Sequence, residues 1–308
     1  MKQGVVDVVI VHHNTLELTS RCIESLVTPE QREYIARLIV VDNASTDRSG
    51  HALAERYPFV TIFHLAKQIG YAAACNYGAR QGSAQYVLLS NSDVEYSEDF
   101  LPRMLMHMEK YPAVAVCCPA QKYPDGRFQR SWGYFPGWGE ILATIAGMEF
   151  LRNRWPSRSV HWRAVPYCDG AALFVRRSAY EQIGGMNEQF AFFGEDADLC
   201  YRFWQQEWHC HHVPSIQVLH HRGGTRNTSP ERLVLYEQAN LSAKLHFVQL
   251  HHAYGHRFVS LGYRVLYAMH TAFYFVLYLL GFIDSSTYRT RKAINIALCA
   301  HLRTKHNG

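Results

Sequence analysis

The 308-residue chain is 48% hydrophobic and 19% charged, which excludes a disordered or low-complexity polypeptide. Its 31 basic and 26 acidic residues leave a net charge of +5, too small an excess to argue for a nucleic-acid partner. The eight cysteines form no CxxC pair and no regular spacing, so a zinc ribbon or a disulfide framework is disfavoured and reduced, buried thiols are expected. The N-terminus lacks the ordered basic, apolar and small-residue regions of a signal peptide.

In chain order, residues 5–11 (VVDVVIV) read as a buried strand. Residues 15–26, with apolar side chains at Leu16, Ile23 and Leu26, suit a helix. A second strand over 38–41 ends at Asp42-Asn43-Ala44-Ser45-Thr46-Asp47, a turn dense in capping residues. A helix over 49–57, a strand over 60–65 and a small-residue helix over 70–81 follow. The fourth strand, 86–90, runs into Asn91-Ser92-Asp93. Strands spaced by helices predict right-handed βαβ units and a mostly parallel sheet covered on both faces. Ligands of such sheets bind beyond the carboxyl ends of the strands, where both polar clusters fall. One such cluster is usually a turn; two on one edge look more like a site. No GxGxxG follows the first strand and no GxxxxGK[ST] occurs, so a dinucleotide fold and a P-loop are disfavoured. Asn91 and Asp93, two apart on an extended segment, would project the same way and offer hard oxygen to Mg²⁺ or Mn²⁺.

Residues 121–166 read as loop-rich, with one helix over 139–152. Tyr167-Cys168-Asp169-Gly170 leads into a strand over 171–175, and Gly184-Gly185 closes the next helix. A further helix begins at Asp196 and places Glu195, Asp196 and Asp198 in its first turn. Two readings fit: acids opposing the positive end of the helix dipole, or a general base between aromatic walls. A strand over 213–219 delivers His220 and His221 to its end, as a surface pair or as metal ligands. The run His209-Cys210-His211-His212 is read as structural, because adjacent strand residues point to opposite faces and cannot all reach one ion.

Together these motifs resemble the inverting family 2 glycosyltransferases of the GT-A fold, the rhamnosyltransferase-like members above all. The resemblance covers residues 5–225 and rests on ordered motifs: 8–14, 40–47, Gly70-Tyr71-Ala72-Ala73-Ala74-Cys75-Asn76, 88–93, Asp169-Gly170-Ala171, 184–188, 192–202 and His220-His221. It implies that Asp42 and Asn43 hold the base and ribose of a nucleotide-diphosphate sugar. Gly70 would pass close to the nucleotide, with Asn76 near it. Asn91-Ser92-Asp93 takes the place of the family's DxD motif, with Asp93 and His220 as ligands of Mg²⁺ or Mn²⁺. Asp196 matches the catalytic base, Glu195 lies beside it, and Asp169 and Gly170 line the acceptor side. Asn91 departs from the usual first acid, Gln68 from an Asn, Cys75 from an Arg and Asn187 from an Asp; these bear on the sugar and nucleotide more than on the fold. The implied reaction is transfer of a sugar, rhamnose among the candidates, to a glycan or polyprenyl-linked acceptor in surface polysaccharide synthesis. It would run in the cytoplasm at the inner face of the cell membrane.

The expected organisation is α/β: a nucleotide-sugar-binding half over 1–120, an acceptor and catalytic half over 121–250, and a helical tail over 251–308. Within the tail, residues 265–283 carry no Asp, Glu, Lys or Arg and are flanked by Arg257, Arg264, Arg289, Arg291 and Lys292. A helix lying in the membrane interface is favoured; a buried or homo-oligomer-forming helix and a true span are the alternatives. Two other functions compete with glycosyl transfer. A sugar nucleotidyltransferase would want a Gly-rich, basic phosphate loop after strand one, which His12-His13-Asn14 is not. A non-catalytic nucleotide-sugar-binding module on the same fold would lose nothing on substitution of Asp196.

Overall fold

The computed structural model describes residues 4–146, 162–190, 192–221, 230–252 and 255–304. In chain order the elements are β1 (Val6–His12), α1 (Leu16–Leu26), α2 (Pro29–Arg32), β2 (Ile35–Asp42), α3 (Ser49–Arg56), β3 (Thr61–His64), α4 (Tyr71–Ala79) and β4 (Tyr86–Asn91). Next come β5 (Val94–Tyr96), α5 (Phe100–Lys110), β6 (Val114–Lys122), β7 (Phe128–Gln129), β8 (Trp132–Gly133), α6 (Trp138–Ile145), β9 (Arg163–Ala164) and β10 (Tyr167–Cys168). The chain continues through β11 (Ala172–Arg176), α7 (Arg177–Gln182), α8 (Glu195–Gln205), β12 (His209–His220), α9 (Pro230–His251), α10 (His256–Leu279) and α11 (Ser285–Thr304).

The main sheet runs β3-β2-β1-β4-β11-β6-β12-β5, with β7 on β6 and β9 on β12. β1, β2, β3 and β4 pair in parallel, and β6 pairs in parallel with β12. β11 is antiparallel to both β4 and β6, so it lies reversed within an otherwise parallel series. The expected architecture therefore holds, with reversed strands at β11 and β5 and at the short β7 and β9. Val8, Val9, Ile10, Val40, Val41, Leu88 and Leu89 are wholly buried, as strands covered on both faces require. Each such side chain contributes roughly 1.5–3 kcal/mol on burial.

Register sets the working edge. His12 pairs with Asp42, and Val11 pairs with both Val41 and Asn91, so the carboxyl ends of β1, β2 and β4 finish level. The polar residues that terminate these strands consequently share one edge.

Several expectations need correction. β6 and α5 were not expected, and β12 starts at His209 rather than at 213. The His209–His212 run lies within β12, and His211 and His212 face Ala164 and Arg163 of β9 across the ladder. Of the helix expected over 139–152, α6 covers residues up to Ile145, where Ala146 caps it, and residues 147–152 lie outside the described residues. Asn91 ends β4 while Ser92 and Asp93 form a turn, so the alternation of an extended strand does not relate their side chains. All eight cysteines are free, and all but Cys299 are buried.

The residues divide into two compact units. The first comprises 1–134, 151–191 and 195–224; the second comprises 135–150, 192–194 and 225–308. The second is helical, with Leu241, Leu245, Phe247, Tyr263, Leu266, Ile294 and Leu298 buried. Within it the Glu140 carboxylate accepts hydrogen bonds from the Tyr263 hydroxyl, at 2.6 Å, and from the Lys244 ammonium. No helix among the described residues is long and apolar enough to cross a membrane.

Candidate active site

The nucleotide-side candidates gather where β1, β2 and α4 meet. Asp42 is buried; its Oδ1 accepts the Ser45 N–H at 3.0 Å, and its Oδ2 lies 2.9 Å from His64 Nδ1. Burial alone would raise the Asp42 carboxyl, but the hydrogen bonds from Ser45 and His64 outweigh it and hold it below the ordinary range. Gly50 faces this carboxylate closely: a Cβ there would meet Asp42 Oδ2 at 1.9 Å. Asn43 donates its backbone N–H to the His12 carbonyl at 2.8 Å, and its Oδ1 accepts the Ile69 N–H at 2.9 Å. That second bond fixes the corner at Gly70, whose φ of +65° favours glycine. His12 spans Thr19 Oγ1 at 2.7 Å and Ser49 Oγ at 2.8 Å, and burial pushes its ring down to about 4, so it is a neutral brace.

Asn76 stands apart from this group. Its Nδ2 donates to the Met186 carbonyl and Glu188 Oε1, both at 2.8 Å. Its Oδ1 accepts from the Tyr180 hydroxyl at 2.6 Å and the Met186 N–H at 2.9 Å. Both amide hydrogens and both lone pairs are thereby used within the protein. Asn76 ties α4 to the segment that leads toward α8.

The cation-side candidates meet through strand pairing. β5 pairs with β12 so that Val94 faces His220, and the His221 N–H donates to the Asp93 carbonyl at 2.9 Å. Asp93 Oδ1 consequently lies 3.3 Å from His220 Nε2. Burial would raise Asp93, but the hydrogen bond and charge that His220 supplies when it is protonated, with the charge of His221, outweigh burial and lower it. His221 turns to Glu95, with Nε2 2.6 Å from Oε1, so it is not part of the pair. A carboxylate oxygen and an imidazole nitrogen suit Mn²⁺, which accepts mixed oxygen and nitrogen donors. Among the described residues no group of three or more His, Cys, Asp or Glu is arranged to hold a metal. Two protein ligands fit a cation whose remaining positions go to water and substrate phosphates. Asn91, at the end of β4, donates its backbone N–H to Ala171 at 2.9 Å and so ties that strand to the next candidate group.

The acidic candidates form the third group. Asp196 Oδ2 accepts the Gly170 N–H at 3.0 Å, and Oδ1 accepts the Ala197 N–H at 2.7 Å. The Gly170 carbonyl accepts from the Tyr71 hydroxyl at 3.1 Å. Asp169 Oδ1 lies 3.4 Å from Gln121 Nε2. Burial, then the charges of Glu195 and Asp169, pushes Asp196 well above the ordinary carboxylate range. Burial, then the charge of Asp169, raises Glu195 to about 7. Glu195 Oε2 is enclosed and has no hydrogen-bond partner among the described residues. Residues 195, 196 and 198 all fall in the first turn of α8, yet they diverge: Asp198 is bound by Arg202 at 2.7 Å, as a structural helix pair.

Chains of hydrogen bonds join the groups. His220 Nδ1 lies 2.9 Å from Gln121 Oε1, and Gln121 continues to Asp169. Thr15 and Ser92 hydroxyls, 3.0 Å apart, link the ends of β1 and β4. Gln121 and Tyr71 were not singled out as functional from the sequence. Tyr71 was legible only as part of a motif; Gln121 carried no signal, since its position depends on the pairing of β6 with β12.

Comparisons with known proteins agree with this architecture. Residues 7–184 match the model of glycosyl transferase family 2, and residues 162–222 match that of the N-terminal domain of galactosyltransferase. The chain is 29% identical over 212 residues to an N-acetylglucosaminyl-diphospho-decaprenol L-rhamnosyltransferase of Mycobacterium tuberculosis, covering 63% of this chain and 69% of that one. It is 23% identical over 144 residues to the rhamnosyltransferase WbbL of Escherichia coli, covering 46% and 54%. Among solved structures, a mannosyltransferase of Pyrobaculum calidifontis in complex with GDP-Man and Mn²⁺ superposes with a TM-score of 0.61 at 16% identity, covering 98% and 87%. GalNAc-T7 with UDP, GalNAc and Mn²⁺ superposes with a TM-score of 0.57 at 18% identity, covering 80% of this chain and half of that one. The reversed strand within a parallel series, the level polar edge and a family match over more than half of its length lead to one assignment: the chain belongs to glycosyl transferase family 2, on the GT-A fold.

Proposed function

We propose that this protein transfers a sugar, with rhamnose the first candidate, from a nucleoside diphosphate donor to a lipid-linked glycan in surface polysaccharide synthesis. The observation that carries the reading is Asp196, a carboxylate oriented by two backbone N–H groups and raised above its ordinary range. A carboxylate so raised is a stronger base than a solvated one, as removal of an acceptor hydroxyl proton requires. The donor nucleotide would rest at Asp42, Asn43 and Gly70, and Asn91 would line the diphosphate between them and Asp93. Asp93 and His220 would hold Mg²⁺ or Mn²⁺. When bound, that cation neutralises charge on the departing diphosphate. Asp169 and Gly170 would form the acceptor wall, with the Gly170 N–H keeping Asp196 aimed. Direct attack by the acceptor oxygen as Asp196 takes its proton is a single displacement and inverts the anomeric centre.

The relative from Mycobacterium tuberculosis acts, by its name, on a decaprenol-linked substrate. A lipid-linked acceptor accords with the surface of α10. Phe258, Leu261, Val265, Met269, Phe273, Val276 and Leu280 are exposed at spacings of three and four residues, one stripe about 33 Å long. Phe258 is 67% and Leu280 64% exposed. Arg257, Arg289, Arg291 and Lys292 are exposed near its two ends. Apolar residues with basic flanks, and no acid within the stripe from Phe258 to Leu280, suit the headgroup region of an anionic bilayer.

A panel of nucleoside diphosphate sugars, each incubated with polyprenyl diphosphate-linked N-acetylglucosamine, tests the function. Acceptor-dependent nucleoside diphosphate release with one donor is expected, lost on chelation and restored by Mn²⁺ or Mg²⁺, with the product of inverted anomeric configuration. Release that persists undiminished in a chelated enzyme would overturn the cation assignment, and a retained anomer would overturn the single displacement.

A further inference from the structure

The side chain of Gln121 joins the cation side of the site to the acceptor side, and the direction of its hydrogen bonds follows from its partners. Asp169 is an acceptor when ionised, so the group 3.4 Å from its Oδ1 is the amide NH₂ of Gln121. The amide oxygen then faces His220 Nδ1 at 2.9 Å. An amide oxygen only accepts, so the ring hydrogen sits on Nδ1. A neutral ring in that form has a bare lone pair on Nε2, the atom 3.3 Å from Asp93 Oδ1. Two electron-rich atoms this close repel unless a cation or a proton lies with them.

The surroundings hold this arrangement in place. Gln121 is wholly buried, on β6, beside Val218 of β12. Its backbone N–H donates to Ser131 Oγ at 2.9 Å, and the Ser131 carbonyl accepts the Asp169 N–H at 2.9 Å. The amide of Gln129 donates to the His220 carbonyl, fixing the backbone that carries the ring. The order of influence is therefore Asp169, then Gln121, then His220.

Resting on the reading that Asp93 and His220 hold a divalent cation, we propose that Gln121 is a positioning residue. It fixes His220 as the Nδ1–H tautomer so that Nε2 is presented beside Asp93, and Asp169 on the acceptor side sets its orientation. The free imidazole has no such constraint; its tautomer is set by whichever partner the other nitrogen finds. The acceptor wall and the cation site are thus coupled through one amide.

Two measurements on the full chain test this. Long-range ¹H–¹⁵N correlation spectra of ¹⁵N-histidine-labelled protein report the tautomer of each neutral ring, with His220→Gln identifying the signals of His220. Binding of Mn²⁺ alone, followed by electron paramagnetic resonance of the free ion, reports the cation site. The wild type is expected to show the Nδ1–H form at His220. Gln121→Met, which removes the acceptor, should lose that form and weaken Mn²⁺ binding about 10–100-fold. Gln121→Glu keeps an acceptor against Nδ1 and should retain the wild-type tautomer. An Nε2–H ring in the wild type would overturn the proposal without any variant needing to fold. So would a Gln121→Met protein that keeps both the tautomer and the affinity while Asp93→Ala loses Mn²⁺. A wild type with the Nδ1–H form but no Mn²⁺ binding would instead overturn the cation reading and leave the role of Gln121 in setting the tautomer standing.

Discussion

Asp196 and Glu195 are adjacent in sequence, yet their surroundings give them separate duties. Asp196 has both oxygens on backbone N–H groups, whereas Glu195 Oε2 has no partner among the described residues. Asp196→Asn keeps the shape and removes the basic oxygen. A fall in kcat of roughly 10²–10⁴ is expected, with donor binding unchanged within a few-fold by calorimetry. Normal turnover in Asp196→Asn together with a dead Glu195→Gln would move the base by one residue. The same group predicts the pH profile. A base works only when ionised; burial and then the charges of Glu195 and Asp169 raise Asp196, and burial and then the charge of Asp169 raise Glu195 to about 7. The value of kcat/KM should therefore climb with pH, with its inflection well above that of a solvated carboxylate. Stability should move the other way. The folded state binds the Glu195 proton more tightly than the unfolded chain, whose ordinary value is 4.5, so stability is lost as pH rises toward and through about 7. Glu195→Gln should raise the thermal midpoint at pH 8, by about 2–4 °C for each kcal/mol relieved, and leave it unchanged at pH 4.

At the scale of elements, the site depends on a few tethers between strands and helices. Asn76 on α4 holds Tyr180, Met186 and Glu188 with four hydrogen bonds, all at 2.9 Å or less. Asn76→Ala would leave the buried Tyr180 hydroxyl and the Met186 amide unpaired. A loss of roughly 2–4 kcal/mol by urea denaturation is expected, at 1–3 kcal/mol for each unsatisfied group less what relaxation recovers. Unchanged stability would mean that these bonds are replaced by water. The sequence revealed the helix over 70–81 and the asparagine, but not this tether, because its partners lie more than a hundred positions away. β6 escaped notice for a related reason. Val114–Lys122 is almost wholly buried and contains Cys117, Cys118, Pro119 and Gln121, so it alternates neither by period two nor by composition. Its pairing with β11 and β12 supplies the order that the sequence lacks.

At the scale of the whole molecule, the exposed stripe on α10 places much apolar surface in the second compact unit. A contiguous apolar face of this length needs a partner phase or partner surface. The triple variant Val265→Ser, Met269→Ser, Phe273→Ser alters exposed positions only and should leave the fold intact. Its co-sedimentation with anionic vesicles should fall several-fold at high salt, where the basic flanks are screened and the apolar contact persists. Equal sedimentation of variant and wild type would remove the membrane reading. A change of oligomeric state in the variant would favour self-association instead.

The sequence alone determined the alternation of strands and helices through the first hundred residues, because buried parallel strands are short β-branched runs separated by capped helices. It also marked Asp42, Asn43, Asp93, Asp196 and His220, since polar residues that end apolar strands or open helices are conspicuous locally. Only the tertiary structure decided which of them meet. The 3.3 Å approach of Asp93 and His220 follows from β5 lying antiparallel on β12, and Ser92 and Asp93 turn where an extended segment was expected. Asp169 reaches the imidazole of His220 through Gln121, whose place is fixed by the register of β6 and β12. Register and long-range pairing are set by the packing of the whole sheet, and no local pattern of residue types encodes them.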